Sequence, residues 1–243
     1  MDLVTKIQRA DYEGNRAALA DLHDQLLPFV DQPGIGSRVR YWRGFAKWRR
    51  AINGANETPR PADLVRDLAD GEAEFAAALE QDPDLVDAKV GAGSCAVMRF
   101  YFEGVFSKGS DYTALRPILA PPARLLKDAQ AASPDNPRVL WVVGQNQWSR
   151  ATTASAQSAI LEAYERGIKA ARNQRSPSAD PLEPSWGEPE LLMNLAWSNL
   201  HRLNPDPDAA ERYARSALEL VPYWHYVRDI LLPQILDAKA GKR

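Results

Sequence analysis

Cysteine is almost missing from this sequence: Cys95 is the single one in 243 residues, and one thiol cannot build an intramolecular disulfide framework. A surplus of either charge is missing too. The 30 Lys and Arg are balanced by 32 Asp and Glu, which gives no support to a nucleic-acid-binding or membrane-surface role. No apolar run reaches the length of a membrane span. Residues 1 to 30 read as the start of an amphipathic helix and not as a signal peptide. The chain as it stands reads as cytoplasmic, and removal of a leader would make it periplasmic or secreted. His23, His201 and His225 are the three histidines; they lack the spacing of a known metal site, and no His-Glu-x-x-His occurs. Neither a metal nor another cofactor is expected. No stretch alternates apolar and polar residues as a half-buried strand does, so the fold should be all α.

What the chain does have is a repeated interval. Pro83 to Gly93 and Pro134 to Gly144 each run from a proline to a glycine ten residues later. The proline closes one helix and the glycine sits inside the next, so the pair marks a recurring helical hairpin. The helix before each proline carries small or apolar residues at matching offsets: Gly71, Phe75 and Ala78; Leu126 and Ala129; Ala210, Ala214 and Ala217 before Pro222. Positions four and three apart share one helix face, where small side chains let a neighbour approach closely. Taking Gly44, Gly93, Gly144 and Ala196 as markers of successive first helices gives spacings of 49, 51 and 52 residues by subtraction.

The second-helix pattern, with Ala92-Gly93, Val143-Gly144 and Asn194-Leu195-Ala196 in the first helices, resembles the tetratricopeptide repeat. That resemblance implies a right-handed superhelical stack of hairpins, a TPR-like α-solenoid of four to five hairpins in a single domain over 1–243. By consecutive helix pairs the hairpins span roughly 11–53, 62–104, 115–150, 155–203 and 207–237. The spacing exceeds the usual unit of about 34 residues, and the surplus falls inside the hairpins, at 53–61 and 104–114. Helices are expected near 11–30, 38–53, 62–81, 85–104, 115–132, 137–150, 155–174, 188–203, 207–220 and 223–237. Pro233 should kink or stop the last one. Asp63, Asp84 and Asp208 stand near predicted starts, where a carboxylate can accept orphan amide hydrogens. The proline-rich Ser176 to Trp186 reads as an extended linker.

In a tetratricopeptide array the first helices line the concave face. Positions around the markers then supply Tyr41, Phe45, Trp48 and Arg49 from the first hairpin, and Trp141, Gln145 and Trp148 from the third. Asn194, Trp197 and His201 come from the fourth, with Arg38 and Arg138 nearby. Such a face suits a peptide with aromatic or acidic residues, or a planar or sugar-like ligand. The same aromatics could equally be packing residues, because a register error of one residue moves them into the core. The basic residues that hold a C-terminal carboxylate in some members of the family are not matched.

Little else reads as chemistry. Gly91-Ala92-Gly93-Ser94-Cys95 lacks the preceding strand and the Gly-Lys-Ser/Thr ending of a phosphate loop, and Cys95 fits a buried small hydrophobe. Nothing pairs a nucleophile with a base. The chain is expected to be a non-catalytic scaffold for a protein or peptide. The alternative is a small-ligand-binding or solute-transport accessory protein whose pocket is covered by the long loops.

Overall fold

The computed structural model describes residues 2–59, 61–106, 112–174 and 180–241. Among these the regular structure is entirely helical: α1 (Asp2–Tyr12), α2 (Arg16–Gln25), α3 (Gly36–Glu57), α4 (Leu64–Gln81), α5 (Val86–Phe106), α6 (Tyr112–Ala132), α7 (Pro137–Trp148), α8 (Ala154–Gln174), α9 (Glu188–His201), α10 (Pro207–Leu220) and α11 (Leu232–Lys239). The residues group into two compact units. The first holds Met1–Ala132 with Asp180–Pro184, and the second Ser133–Ala179 with Ser185–Arg243.

Local chemistry sets most of the boundaries. The helix expected over 11–30 is in fact two, divided at Gly14, whose φ of 68° is the left-handed conformation that ends a helix. Asn15 then opens α2 by accepting a hydrogen bond from the Ala18 amide at 3.0 Å. The caps also fall elsewhere than expected. Asp63 stands at the N-cap of α4 but makes no capping hydrogen bond; side chains that do cap include Asn136, which accepts from Arg138 and Val139 ahead of Pro137, Thr153, which accepts from Ala156 at the start of α8, and Asp206, which accepts from Ala209 ahead of Pro207. At the far end Tyr226–Leu231 form a π-helical stretch that leads directly into α11, with Pro233 in its first turn. Proline has no amide hydrogen to give the preceding turn, and the wider turn lies where the pattern would break.

In the first unit α3 packs on α4, α4 on α5 and α5 on α6, while α1 and α2 lie against α3 and α5 reaches α3 as well. The marker glycines are sites of close approach. A Cβ on Gly44 would stand 2.9 Å from the Phe75 ring, and one on Gly93 would stand 2.7 Å from Leu126. A Cβ on Gly71 would stand 3.2 Å from the Gly44 carbonyl and 3.3 Å from the Cys95 sulfur, so its missing side chain admits both α3 and α5. Cys95 is fully buried, and burial pushes its thiol well above the usual range.

In the second unit α7 packs on α8, α8 on α9 and α9 on α10, with α7 also touching α9. Gly144 meets the Tyr164 ring at 2.2 Å from its would-be Cβ, the counterpart of Gly44 against Phe75. On α8 the residue that admits its neighbours is Gly167, against Leu191 and Leu140. Gly187, at φ 132°, starts α9 with its amide donating to Glu190 Oε2 at 2.9 Å.

Candidate functional site

The residues expected on one continuous face have different fates in the two units. In the first, Tyr41, Phe45 and Trp48 are at most 1% exposed. They join Trp42 and Phe75 in an aromatic cluster with ring centroids 5.1 to 6.3 Å apart. This is core, and no ligand can reach it from an open groove. The register explains the result: α3 has α1, α2, α4 and α5 around it, leaving that turn of the helix no solvent-facing side.

Arg49, also expected on the face, is buried. Its Nε donates to both Asp11 oxygens at 2.8 Å, and Asn53 Nδ2 donates to the Asp11 carboxylate and carbonyl at 3.0 Å. A buried charge needs such a partner, because removing one member leaves the other desolvated and uncompensated. A second network follows α2, α3 and α4. Arg43 donates to Glu74 at 2.8 Å and to the His23 carbonyl at 2.6 Å, and Arg50 pairs with Asp63 at 2.7 Å and with Asp67. Burial works to raise the Glu74 carboxyl, but hydrogen bonds from His23 and Arg43 outweigh it and hold the group at about 2. Arg38 is engaged as well, donating to Glu183 and the Gly34 carbonyl. These ion pairs fasten α1 and α2 onto α3 and α4. Composition showed that the charges existed, but charge counts do not reveal which side chains are buried.

In the second unit Arg138 and Trp141 are likewise interior. Trp141 meets Trp186 edge-on at 5.5 Å, and Arg138 Nη1 donates to the Trp186 carbonyl and to Gln174 at 3.2 Å. The remaining five expected residues come together on one side of α7 and α9. Gln145 and Trp148 lie one turn apart on α7; Asn194, Trp197 and His201 follow at the same kind of spacing on α9. Trp148 and Trp197 are half-buried, with ring centroids 6.2 Å apart and planes at 72°. The His201 ring stacks on Trp197 at 4.3 Å and 21°.

Hydrogen bonds fix this shelf from beneath. His201 Nδ1 lies 2.8 Å from the Trp197 carbonyl; a carbonyl can only accept, so Nδ1 carries the proton and Nε2 is left as the acceptor of the neutral ring. Gln145 Nε2 donates to Asn194 Oδ1 at 3.3 Å, bridging the two helices. Asn194 Nδ2 is buried near the Tyr164 hydroxyl without a hydrogen bond of good geometry. Burial pushes that hydroxyl up, while the Asn194 amide acts against the rise. Within the described residues the indole N–H groups of Trp148 and Trp197 have no acceptor.

The side chains that α7 and α9 leave open are also uncharged. Val143, Gln145, Asn146, Gln147, Trp148, Met193, Trp197, Leu200 and His201 are exposed or half-buried, and none is Lys, Arg, Asp or Glu. In a chain that is 26% charged, two helices with no exposed ionic side chain are set apart from their surroundings. The same unit has a cleft of about 390 Å³ over α8, α9 and α10, lined by Glu165, Ile168, Lys169, Arg172, Leu192 and Tyr213 among others. Of its polar groups, Tyr213 donates to Glu165 at 2.8 Å and Arg172 to Glu188 at 2.7 Å. Burial together with Glu165 pushes the Tyr213 hydroxyl up to about 12.

Among the described residues no three His, Cys, Asp or Glu side chains gather as a metal site would require, and no helix is long and apolar enough to cross a membrane. Compared with known proteins, the chain matches no family model and no curated protein.

Proposed function

We propose that this chain is a non-catalytic, tetratricopeptide-like scaffold that binds a segment of another protein on the α7–α9 shelf. The observation that carries the reading is the half-buried ring cluster of Trp148, Trp197 and His201, held between two helices whose open side chains carry no charge. Large rings with part of their surface in water and their orientation already fixed are what a binding hot spot requires, since little side-chain freedom remains to be lost. The marker glycines support the repeat-like part of the proposal. Gly44 against Phe75 and Gly144 against Tyr164 repeat one helix-on-helix contact.

A pocket for a small solute beneath long hairpin loops has less in its favour. Residues 53–57 extend α3, which shortens the loop expected there, and the centre of the other loop, 107–111, lies outside the described residues. The test is selection from a random displayed-peptide library on the wild-type protein and on the Trp148→Ala/Trp197→Ala double variant. The proposal expects enriched peptides that bind the variant roughly 30-fold more weakly or worse, as loss of a tryptophan hot spot of about 2 kcal/mol implies. Peptides that bind both proteins equally would reject this site.

A further inference from the structure

Five residues ahead of α9, Asp180-Pro181-Leu182-Glu183-Pro184, group with the first unit, although α8 before them and α9 after them belong to the second. They form no helix and lie against one turn of α3. Trp42 Nε1 donates to the Leu182 carbonyl at 2.8 Å. Arg38, four residues earlier on the same helix, donates from Nη1 to Glu183 Oε1 at 2.8 Å and stands 3.4 Å from Asp180 Oδ2. Leu182 is half-buried and Pro184 buried.

Each side of this contact is organised by its own unit's chemistry. On α3 the Trp42 ring is fully buried, with Tyr41 edge-on at 5.3 Å and Phe45 at 5.1 Å, and Arg38 Nη2 is tied to the Gly34 carbonyl at 2.6 Å. A buried indole N–H that loses its acceptor carries the full desolvation cost, so this turn of α3 calls for a carbonyl oxygen, with carboxylates beside it for Arg38. The segment supplies both and satisfies itself. Asp180 Oδ1 accepts from the Leu182 amide at 2.9 Å, and the Asp180 carbonyl accepts from the Glu183 amide at 2.9 Å. Pro181 and Pro184 have no amide hydrogen, so from Pro181 to Pro184 no backbone donor is left over. Prolines also remove freedom that a free peptide would lose on docking. The ionic contacts are individually weak, since the Asp180 and Glu183 side chains are 41% and 48% exposed. A pre-folded turn held by one hydrogen bond to a buried indole and by exposed ion pairs has the character of a tethered ligand. We infer that the Arg38–Trp42 turn of α3 is a second recognition site, specific for a short acidic turn bounded by prolines, which the chain's own residues 180–184 occupy and which a partner protein carrying such a turn takes over when they are displaced. The site belongs to the first unit, and its failure would leave the α7–α9 proposal untouched.

The test follows the Trp42 indole N–H signal of ¹⁵N-labelled full-length protein. In Asp180→Lys/Glu183→Lys the segment is repelled by Arg38, and the Trp42 N–H should shift upfield and exchange with solvent roughly tenfold faster than in the wild type. Added acetyl-Asp-Pro-Leu-Glu-Pro-amide should return the signal toward its wild-type position in a saturable way. The neutral acetyl-Asn-Pro-Leu-Gln-Pro-amide should bind roughly fivefold more weakly, as the loss of two exposed ion pairs implies. Wild-type protein should not respond to micromolar acidic peptide, because the tethered copy competes at an effective concentration on the order of millimolar. If the lysine variant does not fold, Asp180→Asn/Glu183→Gln loosens the segment without repulsion and serves in its place. A Trp42 signal that neither variant moves, or that the acidic peptide does not restore, would overturn the inference. Equal binding of the acidic and neutral peptides would overturn it as well.

Discussion

Trp48 and Trp148 stand at the same distance after a marker glycine, four residues past Gly44 and Gly144 respectively, yet the first is sealed in the core and the second is half in water. Their helices differ in company. α3 has α1, α2, α4 and α5 packed around it, whereas within its own unit α7 packs on α8 and α9. A ring at the same offset from a marker glycine is therefore structural where extra helices cover it and a candidate contact where they do not.

The contrast is easiest to break at the two tryptophans. Trp48→Ala empties a core site and should cost about 3–5 kcal/mol, while Trp148→Ala should cost well under that; chemical denaturation of both variants gives the comparison. Equal losses would show that the two rings are buried alike. The ion pairs that help cover α3 come next. Asp11→Ala strands the Arg49 charge and should cost about 3 kcal/mol or more, to be measured in the same way, and recovery in Asp11→Ala/Arg49→Met would identify the stranded charge as the cause.

Acid sharpens the comparison further, because the first unit depends on carboxylates that the shelf lacks. Glu74 is held at about 2 in the folded protein against 4.5 for a free glutamate. A depressed carboxyl contributes its stability above the free value and loses it as pH falls from about 4.5 toward 2. The pH dependence of unfolding in Glu74→Gln should therefore be flatter over that interval. The smallest expected effect is in the second unit. Gly144→Ala places a methyl group against Tyr164 and should cost about 1–3 kcal/mol, less if the ring shifts outward.

How much of this was visible in the residues depended on the kind of signal. Pro83, Pro134 and the glycines that follow them located helix ends and close contacts well, because backbone geometry leaves few residues able to do either task. Gly44, Gly93 and Gly144 all sit where a side chain would collide with the partner helix. The break at Gly14-Asn15 was missed because the surrounding apolar pattern runs on through it. The site was legible only in its membership. Gln145, Trp148, Trp197 and His201 could be named from offsets, but so could Tyr41, Phe45 and Trp48, and what separated the groups was burial. Burial depends on helices distant in sequence, and no offset from a marker encodes it.

The most direct measurement of the central claim uses the indole N–H spectrum of the ¹⁵N-labelled protein with a peptide selected from the random library. The account predicts that the Trp148 and Trp197 signals move with peptide concentration while those of Trp42 and Trp48 stay fixed. Signals from Trp42 and Trp48 that move while Trp148 and Trp197 remain still would contradict it.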